Sequence, residues 1–145
     1  MLIDEMSLED LEAALALVRQ WIAALRGEIK KPHAFWSDDG SRFYQKHKGS
    51  LRSRRGGMCC FGVLATLIDP ARWKLVNRIR WVWGGRLADI GEEALRTVGL
   101  DPSDQSLLIH LNDEWSDWAR VIDRLVQHEN TLASRVEVIK EGGTP

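Results

Sequence analysis

The stretch "SLRSRRGGMCCFGVL", residues 50 to 64, places three arginines, a Gly-Gly pair and two adjacent cysteines in front of an apolar run. Cysteine chemistry is the first reading. A thiolate is nucleophilic, and its pKa falls at a helix start or beside cations. Cys59 or Cys60, following Arg52, Arg54 and Arg55, meets that condition, with His110 as the base and Asp113 as the acid that orients it. Against this stands packing: cysteine is a small hydrophobe that is readily buried, and the segment is apolar on every side. A metal centre is not expected. Structural zinc usually takes Cys pairs separated by roughly two to four residues, whereas these cysteines are neighbours and His33, His47, His110 and His128 are scattered.

Anion binding is the second reading. "SLRSRRGG" delivers hydroxyls, guanidinium forks and flexible backbone N–H groups to a helix N-terminus, where the dipole favours negative charge. Lys46 and Lys48 lie upstream and Arg72, Lys74, Arg78, Arg80 and Arg86 downstream, while Tyr44, Trp36, Trp81 and Trp83 offer rings on which a base would stack. Seven tryptophans in so small a chain exceed what packing alone usually demands, and arginine with tryptophan is equally the composition of a protein interface hot spot. No nucleic-acid fold signature is present.

The charge distribution agrees. Between Gly40 and Ala88 there are eleven Lys and Arg against one acid, Asp69, a local net of +10; the rest of the chain carries nine basic and twenty acidic groups, so the whole nets −1. Either the two parts face each other, within the fold or across a dimer, or the middle meets an electrostatic partner.

These residues need a scaffold, and 145 residues with 44% hydrophobic content suffice for one domain with its own core. No run approaches the roughly 20 apolar residues that span a bilayer, and the acidic start "MLIDEMSLEDLE" does not read as a signal peptide. Without a disulfide framework, a reducing cytoplasm is the expected setting. Ser7 with Asp10 opens a helix over 8 to 26 that groups Leu11, Leu15, Val18, Trp21, Ile22 and Leu25 and ends near Gly27. Residues 28 to 57 carry turn signals and read as a long basic loop. "MCCFGVLATLI", 58 to 68, reads as a central buried helix, with Gly62 admitting a close neighbour and Asp69-Pro70 as its stop.

"ARWKLVNRIRWVWGG" is ambiguous between helix and strand, and a helix to Ile79 is preferred. A short helix follows in "IGEEALRTVGLDP", then a short apolar segment, "SDQSLLIHLND". Asn112 and Asp113 read as a turn capping a last helix over 116 to 128, with Ser116 as its N-cap and Trp118, Val121, Ile122, Leu125 and Val126 inward. Residues 131 to 145 read as an edge strand or tail. The expected fold is a mainly α, compact single domain with one or two short strands.

Several of these motifs occur together in one family. "W..ALR" at Trp21 to Arg26, "YQKHKGSLRS" running into "MCCFGVLATLID", then "LLIHLND" and "SDWARVIDRLV", resemble small uncharacterised phage and prophage proteins with an "FCCLGVL"-like core and an "LND...SF..IA..I" ending. The likeness runs in order over about residues 8 to 127. It departs at Met58 and Phe61, at an insertion around "PHAFWSDDG", and in its basic, Trp-rich middle. The resemblance implies a phage accessory protein acting by binding, of the kind that inhibits host defence or regulatory components, and it carries over no catalytic residue. The expected partner is an acidic face of a host protein complex, or a nucleic acid or nucleotide signal, engaged through residues 42 to 55 and 72 to 86; no membrane and no cofactor are expected. The alternatives are a small enzyme using Cys59 or Cys60 and a phage homo-oligomer joined through its acidic and basic faces.

Overall fold

The computed structural model describes residues 2–35 and 41–142. The fold is mainly α with one small sheet: α1 (Leu2–Glu5), α2 (Leu8–Leu25), α3 (Cys60–Ile68), the strands β1 (Trp73–Val76) and β2 (Arg80–Trp83), then α4 (Glu92–Arg96), α5 (Pro102–Glu114) and α6 (Ala119–Lys140). Among the described residues, no helix is long and apolar enough to cross a membrane.

Helix α2 forms where its apolar spacing requires. Ser7 Oγ accepts the Asp10 N–H, and Leu11, Leu15, Val18, Trp21, Ile22 and Leu25 are all buried. That face packs on α6 and α3; α6 runs antiparallel to it, with Arg19 paired to Glu129 and Lys140 to Glu12. Helix α3 is the central element. Cys60 through Thr66 are buried on every side, and Phe61 lies 5.3 Å, centroid to centroid, from Trp21.

The helix expected to run to Ile79 does not form beyond Arg72. Asp69 Oδ1 accepts the Ala71 N–H in a short 3-10 turn over Pro70–Arg72, after which β1 and β2 pair antiparallel with Trp73 opposite Trp83 and Val76 opposite Arg80. The alternation that wins is that of the two end tryptophans, both buried, whose indole N–H groups donate to Thr66 Oγ1 (3.0 Å) and to Asp69 O (2.8 Å). Asn77 and Arg78 turn the hairpin with φ of 53° and 62°, and Ile79 N–H donates back to Val76 O.

Two further expectations are corrected. "SDQSLLIHLND" belongs to a full helix, α5, opened by a capping box in which Asp101 and Asp104 each accept the other's backbone N–H, with Pro102 in the first turn. The last helix starts at Ala119, with Trp118 rather than Ser116 at its N-cap and Asp117 Oδ1 accepting the Ala119 N–H, and runs to Lys140. Leu132 and Val136 continue the buried face of Val121 and Leu125, so residues 131 to 140 are helix and not strand or tail.

Candidate binding groove

The loop before α3 is fastened to it backbone to backbone. Cys59 N–H donates to Leu51 O, Leu51 N–H to Leu87 O, and Met58 N–H to Gln45 O. Gly62 makes the first contact possible: a Cβ built there would lie 1.8 Å from Leu51 O. From the other side Asn112, fully buried near the end of α5, accepts the Cys60 N–H (3.0 Å) and the Trp118 indole N–H (2.9 Å) on Oδ1 and donates to His47 O (3.0 Å). Asn112 therefore caps the start of α3, not the last helix, and Asp113 Oδ1 accepts the Gly49 N–H.

This clamp fixes Arg52. Its residue is 9% exposed, and the guanidinium carbon lies 3.6 Å from the Trp81 ring centroid, 4.5 Å from that of Phe35 and 5.5 Å from that of Trp73. Among the described residues, Nε and Nη1 have no hydrogen-bond partner and no carboxylate pairs with the side chain. Burial pulls its pKa down to about 10, which leaves it charged at neutral pH. Arg52 lines one side of an open groove of about 480 Å³, walled by Phe35, Trp73 and Trp81 with Pro32, Pro70 and Ala71. An ion desolvated in this way costs several kcal/mol unless something compensates it; stacked rings supply part, and the unpaired N–H groups remain.

The other expected binding residues divide. Lys48, Arg54, Arg55, Lys74, Arg78 and Arg80 are exposed and carry no ion pair among the described residues. Arg72 is exposed and lies 4.3 Å over the Trp83 ring, an approach that the missing side chain of Gly84 permits. Arg86 pairs with Asp89. Lys46 is half-buried, and desolvation lowers its pKa, with Lys48 beside it adding to the effect. Two residues leave the surface: Trp83 is 1% exposed and Tyr44 is 7% exposed with its pKa pushed up to about 12 by burial, so neither ring is open to a ligand. Trp36 lies outside the described residues. Sequence reasoning missed the groove walls at Pro32, Phe35, Pro70 and Trp73; the two prolines flanking aromatic residues were the available signal. Among the described residues Arg86–Asp89 is the one ion pair made by the exposed cations named here, while Asp113 and Asp117 of the acidic flank act electrostatically on Lys46.

The cysteine constellation is not assembled. Cys59 and Cys60 are buried and free; burial pushes the Cys59 thiol up to about 11 and the Cys60 thiol well above its ordinary value, opposite to the direction an activated thiolate needs. His110 sits on the exposed side of α5, paired with Glu114 at 2.7 Å, and Asp113 serves the loop at Gly49. No group of three or more His, Cys, Asp or Glu able to hold a metal ion occurs among the described residues. No family model, no curated protein and no solved structure matches this chain.

Proposed function

We propose that the protein works by binding, and that its working surface is the face built by the loop before α3 and the β1–β2 hairpin, which takes an anionic partner. The observation that carries this reading is Arg52, a buried guanidinium without a carboxylate partner among the described residues, beside an open aromatic groove and in a stretch of chain rich in exposed cations. Such a face attracts polyanions over a distance of about a Debye length and holds them by charge-assisted hydrogen bonds. In line with the resemblance to phage and prophage proteins, the partner would be a component of host defence or regulation, and the effect inhibition by occupancy.

Affinity capture of the tagged protein from bacterial lysate tests this, with an Arg54→Glu/Arg55→Glu/Arg80→Glu variant in parallel and the eluates divided into protein, nucleic-acid and small-nucleotide fractions. A stoichiometric partner retained by the native protein, released by salt and lost on charge reversal is the expected result. Capture that is indifferent to charge reversal overturns the proposal.

A further inference from the structure

We infer that the Arg52 groove is a base-binding site, and that the anionic partner is single-stranded nucleic acid; this rests on the reading above and names its ligand. The exposed cations alone would suit any polyanion. The groove is more selective. Its walls are apolar, with the half-buried rings of Phe35 and Trp81 facing it beside Pro32, Pro70 and the margin of the buried Trp73, and its volume of about 480 Å³ lies within the roughly 300–1,000 Å³ of small-ligand pockets. A bare phosphate or carboxylate gains little from such walls and loses its hydration there, whereas a nucleobase presents a π-face to the rings. The Arg52 guanidinium, 9% exposed and without a carboxylate partner among the described residues, lines the groove beside these rings and adds a fixed positive charge to a site that a base with its phosphates would enter.

The surroundings fit the rest of a nucleotide. Arg54 and Arg55 follow Arg52 in the chain, and Arg72, stacked over Trp83, follows the Pro70–Ala71 wall, all three exposed, while Arg80 lies on the hairpin face opposite Trp81. Asp69, the one acid in the chain between Gly40 and Ala88, accepts the Ala71 N–H on Oδ1. Base in an aromatic groove and phosphates on flanking cations is the combination by which strands are held without sequence readout. An acidic peptide satisfies the cations but supplies no regular series of rings.

Equilibrium titration of tryptophan fluorescence distinguishes the cases, using a 12-nucleotide oligothymidylate, an abasic oligomer of the same length, inorganic polyphosphate and polyglutamate as probes. Oligothymidylate is expected to bind at least about tenfold tighter than the abasic strand, because stacking of one base is worth that much. Trp81→Ala and Arg52→Lys, each confirmed folded by circular dichroism, are expected to weaken oligothymidylate binding by about tenfold. Equal affinity for the normal and abasic strands would overturn the base site while leaving the anionic-partner reading intact. Tighter binding of polyglutamate than of oligothymidylate would overturn it in favour of an acidic protein surface. Failure of all four probes to bind would remove both readings.

Discussion

Asn112 Oδ1 accepts two buried donors at once, the Cys60 backbone N–H at 3.0 Å and the Trp118 indole N–H at 2.9 Å. One amide thereby ties the ends of α5 and α6 to the start of α3, and through His47 O to the basic loop. Replacing it with alanine strands both donors, each at a cost of about 1–3 kcal/mol. Asn112→Ala should lose about 2–4 kcal/mol of unfolding free energy in urea titrations. A change near zero would show that water or a shifted backbone takes over the amide's role.

Gly62 is the seat of the loop. A methyl group there would overlap the backbone oxygen of Leu51, which cannot swing aside as a flexible side chain would. Gly62→Ala should destabilise by about 3 kcal/mol, at the upper end of overpacking costs. Because Arg52 follows Leu51 directly, ligand affinity should fall as well, and thermal melting with parallel binding assays would show both losses.

The hairpin turn stores a small correctable cost. Arg78 holds φ of 62°, a conformation that costs a non-glycine residue about 1 kcal/mol. Arg78→Gly should raise the melting temperature by about 2–4 °C while slightly reducing affinity for a polyanion, since it removes an exposed cation. A lower melting temperature would contradict the turn geometry.

The thiols should be silent. With Cys59 and Cys60 buried and their pKa values raised, iodoacetamide at pH 7.5 should leave both unmodified in the folded protein and alkylate both after denaturation, as read by intact mass. Rapid labelling of either in the native state would revive cysteine chemistry.

Acid should weaken the fold through histidine. His128 is half-buried, its Nε2 lies 2.6 Å from Val98 O, and burial is the main cause of a pKa below the ordinary 6.5. The neutral ring donating from Nε2 fits this site. The unfolded chain therefore takes up a proton first, so this contribution to stability is present above pH 6.5 and is lost as pH falls through the lowered folded value. His47, lowered chiefly by burial, acts in the same direction. Urea midpoints should fall between pH 7.5 and 5.5, less steeply in His128→Gln; midpoints that rise on acidification would contradict the assignment.

Much of this architecture was legible in the chain, and the misses have physical causes. Helices α2 and α3 could be read because one has a clean apolar stripe and a serine cap, and the other is apolar throughout. Helix α5 was obscured because only Leu108 and Asn112 are buried along it, so periodicity is faint, although the Asp101-Pro102…Asp104 start signal was there to be used. The hairpin was obscured by its Asn-Arg turn, which lacks the usual glycine, and by tryptophans that satisfy a helical face and a strand face equally well. At the site, the cations and Trp81 were named from sequence, but that Arg52 would be buried among rings while Arg54 and Arg55 stay outside depends on long-range contacts from Phe35 and the hairpin. Tyr44 and Trp83 illustrate the reverse error, aromatic residues that pack inward rather than face a ligand.

The central claim is that the basic face around Arg52 is where the partner sits. Proton–nitrogen correlation spectra of the labelled protein, recorded while oligothymidylate is added, test it most directly. The account predicts shifts confined to residues 32–35, 42–55 and 70–86, with the Trp81 indole and the Arg52 Nε–H signals moving most and recovering in high salt. Shifts concentrated on α1, α4 and the acidic flank would contradict it, and no shifts at a saturating excess of the strand would remove nucleic acid as the ligand.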